Sequence, residues 1–92
     1  MSETQYKEPA HLSVRLVRKP SVLDTFGFSK STLFNRIHAK LFTPPINLSG
    51  RCVAWPSTEI DALLTAIIAE KSHDEIKSLV QSLLNQRVSV KG

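Results

Sequence analysis

The stretch "GFSKSTLFNRI", residues 27–37, decides how the N-terminal half of this chain is expected to fold. Its leading glycine is typical of the end of one helix, and its serines are typical caps of the next. The residues that follow keep a helical spacing. Leu33, Phe34, Ile37 and the later Leu41 fall on one side. This spacing predicts a short helix that packs through that apolar side.

A first short helix is predicted immediately before this stretch. Pro20 suits the first turn of a helix, where its missing N–H is not needed, and Gly27 is the expected end. Ser29 is the expected N-cap of the second helix, with Ser31 as the alternative. Two short helices about a tight glycine turn, with a basic polar side on the second, are typical of a helix–turn–helix unit.

A small β-hairpin is predicted after the second helix, which a pair of prolines should end. Residues 46–48 and 52–55 have strand character, and the turn at 49–51 contains glycine. Upstream, apolar and polar residues alternate over 12–16, which predicts one more short strand. Trp55 is expected to pack the hairpin against the helix that follows it.

Two longer amphipathic helices are predicted after the hairpin. Pro56 opens the third helix, whose expected buried side is Ile60, Leu63, Leu64, Ile67 and Ile68. Ser72 and Glu75 form a capping box at the start of the fourth. The fourth helix carries one apolar stripe, formed by Ile76, Leu79, Val80, Leu83 and Leu84. That stripe has three interpretations: packing on the chain's own core, pairing with a second copy in a homodimer, or contact with another protein such as an integrase.

The composition excludes several classes of function. Ninety-two residues with 41% hydrophobic and 22% charged content suit one small globular domain. The apolar runs are too short for a transmembrane helix, and the N-terminus lacks a signal pattern, so we expect a cytoplasmic protein with no membrane partner. The single cysteine, Cys52, forms no internal disulfide, and the histidines lack metal-ligand spacing. No nucleophile or phosphate-loop motif occurs, so we expect no enzyme, cofactor or metal.

The positive charge lies in one segment. Residues 11–51 contain seven lysine and arginine residues and one acid, Asp24, so this segment has a net charge of +6. The whole chain has a net charge of +4. The flanking segments are therefore slightly acidic. Segregated positive charge is typical of a protein that binds a polyanion. A solvated basic face with no partner is the alternative interpretation of this charge. Together with the helix–turn–helix and the hairpin, the charge predicts double-stranded DNA as the partner and the nucleoid as its place in the cell.

The candidate contacts follow from the geometry of a helix–turn–helix, whose second helix enters the major groove. Side chains on its polar side that can bond base edges are Ser31, Thr32, Asn35 and Arg36. Basic side chains expected to contact the DNA backbone are Arg18, Lys19, Lys30, His38, Lys40 and Arg51. Asn35 suits an adenine edge, and Arg36 suits a guanine edge. Arg51 lies at the turn of the predicted β-hairpin, which would form the wing beside the helix–turn–helix.

The stretch "GFSKSTLFNRI" and the run "PPINLSGRCVAWPSTEIDALL", residues 44–64, together resemble the AlpA family of phage-type transcriptional regulators. These regulators are relatives of the MerR-like winged-helix excisionases. Gly50, Arg51, Trp55, Pro56 and Glu59 are among the positions that match the family's second motif. Lys40 stands where the family commonly ends the helix with glycine, so a positive φ is expected there.

The resemblance implies a regulator of integrase or excision genes of a mobile element such as a prophage or genomic island, an excisionase (recombination directionality factor), or both. The predicted fold is mainly α with a small β-hairpin, a winged helix–turn–helix plus an additional C-terminal helix. The predicted divisions are a flexible tail at 1–10, the DNA-binding domain at 11–71 and the C-terminal amphipathic helix at 72–92. The alternative is a small protein–protein adaptor that uses this last helix.

Overall fold

The computed structural model describes residues 14–91, with side chains described through residue 88. The predicted tail and the first part of the predicted N-terminal strand lie outside the described residues. The elements in chain order are β1 (Leu16–Arg18), α1 (Lys19–Phe26), α2 (Lys30–His38), β2 (Ile46–Ser49), β3 (Cys52–Pro56), α3 (Ser57–Ile68) and α4 (His73–Lys91). The predicted fold class, mainly helical with a small hairpin and an additional C-terminal helix, is confirmed.

The three strands form one antiparallel sheet in the order β1-β3-β2. The predicted hairpin is β2 and β3, in which Ser49 pairs with Cys52 across a two-residue turn. Leu48 is an extra residue in β2, because the register shifts between Asn47 and Ser49. Gly50 has a φ of 53°, a left-handed conformation that glycine adopts without steric cost.

The N-terminal strand begins later than predicted. β1 starts at Leu16, and Val17, rather than Leu16 or Val14, faces the core. The preceding residue, Arg15, bonds to the first residue of α3. The Arg15 N–H donates to Ser57 Oγ at 2.8 Å, and the Arg15 carbonyl accepts from the Ser57 N–H at 2.6 Å. Arg15 is opposite Ser57 in the register that pairs Leu16 with Pro56, and because Ser57 already belongs to α3, the regular pairing begins at Leu16.

The predicted turn between α1 and α2 is confirmed at both ends. Gly27 has a φ of 70°, and the Phe28 N–H donates to the Leu23 carbonyl at 3.0 Å, so the glycine ends α1 in a left-handed conformation. Ser29 is the N-cap of α2, whereas the alternative cap, Ser31, lies inside the helix.

α2 ends before the prolines that were expected to stop it. Its last residue is His38, and Lys40 has a φ of 65°. A non-glycine residue in this left-handed region is strained, and the expected positive φ at Lys40 is therefore confirmed. The turn closes with the Leu41 N–H donating to the Arg36 carbonyl at 2.8 Å. Leu41 consequently enters the core from the connection after α2, not from the helix itself.

The core lies between the sheet and the helices. Its largest fully buried apolar side chains are Trp55, Phe42, Leu63 and Val22. Two predicted core positions are wrong: Phe34 is 60% exposed and Ile68 is 72% exposed. Both belong to the apolar sides of their helices by spacing. A chain this small covers only the centre of such a stripe.

α4 packs against the same core. The predicted capping box at its start is confirmed, with the Ser72 N–H donating to Glu75 Oε1 at 2.9 Å and the Glu75 N–H donating to Ser72 Oγ at 3.1 Å. The hydrogen bond from the Ser72 N–H lowers the pKa of Glu75. The stripe that was assigned to packing or to a partner consists of the buried Ile76, Val80 and Leu83 and the half-buried Leu79 and Leu84. This arrangement matches the first of its three interpretations, because the chain's own core covers the three buried side chains and partly covers the other two.

Candidate nucleic-acid interface

One side of α2 is open to solvent. Ser31, Phe34, Asn35 and His38, which follow one another at helical spacing, are all exposed, and we call them the exposed face of α2. Within the part of the chain that the structure describes, the side chains of Ser31 and Asn35 make no hydrogen bond. Their donors and acceptors are therefore free for a partner.

The first turn of α2 is fixed by its cap. Ser29 Oγ accepts a hydrogen bond from the Thr32 N–H at 3.1 Å and donates one to Thr32 Oγ1 at 2.9 Å. Thr32 is exposed, but its hydroxyl already takes part in this cap. Of the predicted base contacts, Ser31 and Asn35 are thus the more available, and Thr32 has a role in holding the helix start.

Arg36 differs from the other predicted base contacts. Its side chain is half-buried at the edge of α2, with its guanidinium carbon 5.3 Å from the centre of the Phe28 ring. Arg36 Nε is buried and has no hydrogen-bond partner among the described residues. Burial also lowers the pKa of Arg36, although an arginine stays charged. The guanidinium therefore lies against an aromatic ring.

An aromatic cluster supports the turn before α2. Phe26 stacks on Phe28 with ring centres 5.2 Å apart and meets Phe42 edge to face at 5.1 Å. Phe42 in turn lies edge to face with Trp55 at 6.1 Å. These contacts join the helix–turn–helix to the central strand β3, because Trp55 belongs to that strand. The orientation of α2 thus depends on the hairpin that follows it.

The predicted backbone contacts are basic and exposed. They lie at the start of α1 (Arg18 and Lys19), on and just after α2 (Lys30, His38 and Lys40) and at the hairpin turn (Arg51). None of them forms a salt bridge with another described residue. Each can therefore offer its charge to an anion without first breaking an internal ion pair.

A buried ion pair fastens α4 to the rest of the unit, and the sequence patterns did not reveal it. Arg87 Nε donates to Glu59 Oε2 and Arg87 Nη2 to Glu59 Oε1, both at 2.7 Å. Arg87 Nη2 also donates to the Pro44 carbonyl at 2.8 Å. The sequence indicates Glu59 only as a position that matches the family's second motif. One arginine thus joins α4, α3 and the loop that leads into the hairpin.

Sequence reasoning also missed Phe34 as a surface residue. The apolar spacing of α2 placed it with Leu33 and Ile37, but it is three residues from Ser31 and four from His38. A helical projection centred on Asn35 would have included it in the exposed face. Its neighbours on that face are polar or basic, which makes the exposed phenyl ring distinctive.

Other kinds of site were sought in residues 14–91. In that range, no group of three or more histidine, cysteine or acidic side chains is arranged to hold a metal ion. Cys52 is a half-buried free thiol in β3. None of the helices described there is long and apolar enough to cross a membrane.

Comparisons with known proteins agree with the motifs in this region. The family model described as prophage CP4-57 regulatory protein (AlpA) matches residues 15–65, which include β1, the helix–turn–helix, the hairpin and most of α3. The uncharacterized protein ORF88 of Enterobacteria phage P4 is 36% identical over 55 residues. The aligned region covers 60% of this chain and 62% of that relative, so the chain spans less than two thirds of the relative's length. No solved structure matches the chain. Because the matched region is more than half of the chain, this protein belongs to the AlpA family of phage regulatory proteins.

Proposed function

We propose that this protein is a sequence-specific, double-stranded-DNA-binding regulator of a mobile genetic element. The observation that carries the proposal is the exposed face of α2, where Ser31 and Asn35 have free hydrogen-bonding groups. This face belongs to the second helix of the helix–turn–helix and lies in the basic segment of the chain. A helix presented in this way fits the major groove, with its N-terminal half nearest the bases.

The proposed contacts fall into two groups. Ser31, Thr32, Asn35 and Arg36 read base edges, and Asn35 has the amide geometry that pairs with adenine in two places. Contacts with phosphates, which position the protein without reading sequence, are assigned to Arg18, Lys19, Lys30, His38, Lys40 and Arg51. Because Arg36 lies against Phe28 at the edge of α2, we assign its base contact to the rim of the major groove.

Within this function, we propose control of integrase or excision genes, a direct role as excisionase, or both, in a cytoplasmic protein associated with the nucleoid. Footprinting across the promoters and attachment sites of the host element separates these roles. Occupied promoters alone support the regulator, and phased sites beside an attachment core support the excisionase. The burial of Ile76, Val80 and Leu83 argues against the adaptor alternative, which would use the apolar stripe of α4 as its binding surface.

The DNA-binding proposal is tested by the dependence of affinity on salt. A protein that neutralises several phosphates releases counterions, so its affinity should fall steeply and linearly on a log–log plot as salt rises. The measurement is fluorescence anisotropy with the preferred duplex and a scrambled duplex of equal length. Equal affinity for the two duplexes across the salt range would refute sequence-specific binding.

Asn35→Ala should weaken binding to the preferred site by ~1–3 kcal/mol and relax its sequence preference. The reason is the loss of a two-point contact with one base, which leaves the phosphate contacts unchanged. Asn85→Ala is a matched control, since it removes an exposed amide from α4, outside the basic segment. Equal weakening on preferred and scrambled duplexes would contradict base reading by Asn35.

Arg51→Ala should weaken binding to preferred and scrambled DNA alike and lower the salt slope by about one. Arg51 is exposed at the hairpin turn, outside α2. A cation at this position can contact the DNA backbone that flanks the site. Lys77→Ala, which removes an exposed cation from α4, is the control and should leave the slope unchanged. An unchanged slope in the Arg51 variant would remove the hairpin from the interface.

A further inference from the structure

Phe34 is an exposed aromatic side chain on the surface that is proposed to face DNA. Six large hydrophobic side chains are exposed among the described residues, and Phe34 is the one that lies on α2. Isolated exposed hydrophobic residues are common on protein surfaces, so exposure alone carries no conclusion. The position of this ring and its surroundings supply the argument.

The ring contacts a neighbouring side chain of the same helix. Its centre lies 4.3 Å from that of the His38 imidazole, with an angle of 77° between the two planes, an edge-to-face contact one helical turn along α2. Even so, 60% of the residue is exposed. Ser31 and Asn35, the two free hydrogen-bonding side chains, are its neighbours on the same face.

The charge around the ring indicates what kind of partner covers it. No aspartate or glutamate occurs from residue 25 to residue 58, a range that includes α2 and the hairpin, whereas Lys30, Arg36, Lys40 and Arg51 lie within it. An apolar patch for another protein needs no such excess of positive charge. A polyanion with an apolar group at its recognition surface fits both the charge and the ring.

We propose that Phe34 is a specificity-determining residue that packs against the C5-methyl group of a thymine in the major groove. This inference rests on the proposed DNA-binding function and names thymine as a base that the protein recognises. The thymine methyl is the apolar group that base edges present in the major groove, and phenylalanine is among the side chains that pack on it. Because Asn35 is adjacent and suits adenine, the two residues together favour a site containing A·T pairs.

The expected effect is set by the size of one methyl group. Removing that group from the DNA should weaken binding about fourfold. This ratio of dissociation constants corresponds to the free energy gained when one methyl group is withdrawn from water. Two contacted methyl groups would give about the square of this ratio. These ratios are large enough to measure by anisotropy or by electrophoretic mobility shift.

The test replaces thymine by uracil, which lacks the methyl group but keeps the same hydrogen-bonding edge. The full chain first selects preferred duplexes from a randomised pool, and each thymine of the selected duplex is then changed singly to uracil. We expect the native protein to lose affinity about fourfold at one or two positions, and Phe34→Ala to bind the thymine and uracil duplexes equally at those positions. Phe34→Leu, which keeps an apolar side chain, should retain part of the difference.

Two controls make the result specific. Ile68→Ala removes another exposed apolar side chain, at the end of α3, and should keep the full response to uracil. Circular dichroism and thermal unfolding should show that Phe34→Ala is folded, because its ring is mostly outside the core. The inference is overturned if no uracil position affects the native protein, or if Phe34→Ala keeps the native response. If the selection yields no preferred sequence, the proposed function itself fails, and this inference fails with it.

Discussion

Trp55→Ala is expected to lower the free energy of unfolding by ~3–5 kcal/mol. Trp55 is completely buried in the central strand β3, opposite Val17 of β1. Truncation removes its contacts with Phe42 and leaves a cavity that the surrounding sheet and helices can fill only in part. Because small domains are stable by about 5–15 kcal/mol, this single change removes a large fraction of the total.

The indole also has a polar role that a second variant separates from packing. Trp55 Nε1 donates to the buried Thr43 carbonyl at 2.8 Å. Trp55→Phe keeps an aromatic ring but leaves that carbonyl without its donor, so a loss of about 1–3 kcal/mol is expected from the unsatisfied acceptor, together with a small packing loss. The Phe variant should therefore lie between the native protein and Trp55→Ala.

Urea unfolding followed by circular dichroism measures both losses. Phe34→Ala is the matched control, since it also truncates an aromatic side chain but one that is 60% exposed. A surface change of this kind is expected to alter stability by no more than about 0.5 kcal/mol. A loss below about 1 kcal/mol for Trp55→Ala would mean that the sheet collapses onto the cavity and that the ring does not support the fold as described.

The sequence predicts those parts of the fold that short-range interactions determine. Gly27, Ser29 and the pair of Ser72 and Glu75 act through the backbone within three or four residues, so the end of α1 and the starts of α2 and α4 could be assigned correctly. The same holds for the hairpin turn at Gly50. In each case the residue either bonds a backbone group or adopts a left-handed conformation within its own turn, and no tertiary contact is needed.

The errors arise where tertiary contacts decide. The alternation at the N-terminus suits a strand from residue 12, but β1 begins at Leu16, because Arg15 is opposite Ser57, which already belongs to α3. The spacing of an amphipathic helix shows which side is apolar but not how much of it is covered. Phe34 and Ile68 are therefore exposed at the margins of their stripes.

The candidate site shows the same division. Residue type and helical phase identified Ser31 and Asn35 as polar groups on the open side of α2, and both are exposed. The phase alone could not show that Arg36 lies against Phe28, because the ring belongs to the turn and its position depends on Phe26 and Phe42. Likewise, an apolar stripe on α4 predicts burial without naming what covers it.

Arg87→Ala is expected to lower the free energy of unfolding by ~3–5 kcal/mol. The Glu59 side chain is 4% exposed and that of Arg87 20% exposed, so removal of the arginine leaves a carboxylate inside the protein without its partner. The Pro44 carbonyl also loses a donor. The large loss expected here is mainly the cost of the unpaired group, not the net contribution of the ion pair.

Two further variants distinguish that cost from the value of the pair. Arg87→Lys keeps the charge but cannot reproduce the two parallel hydrogen bonds, so it should recover only part of the stability. Replacing both residues with apolar ones of similar volume, Glu59→Leu with Arg87→Met, should be less damaging than Arg87→Ala alone. Lys77→Ala, an exposed cation on the same helix, should change stability by no more than about 0.5 kcal/mol.

The oligomeric state of Arg87→Ala provides a second readout. If the ion pair is what keeps the C-terminal part of α4 on the core, its loss should expose Leu83 and Leu84 and increase self-association over that of the native chain at the same concentration. Light scattering after size exclusion measures this, alongside urea unfolding. A variant with the native stability and the same mass in solution as the native chain would show that the apolar stripe of α4 holds the helix in place without Arg87.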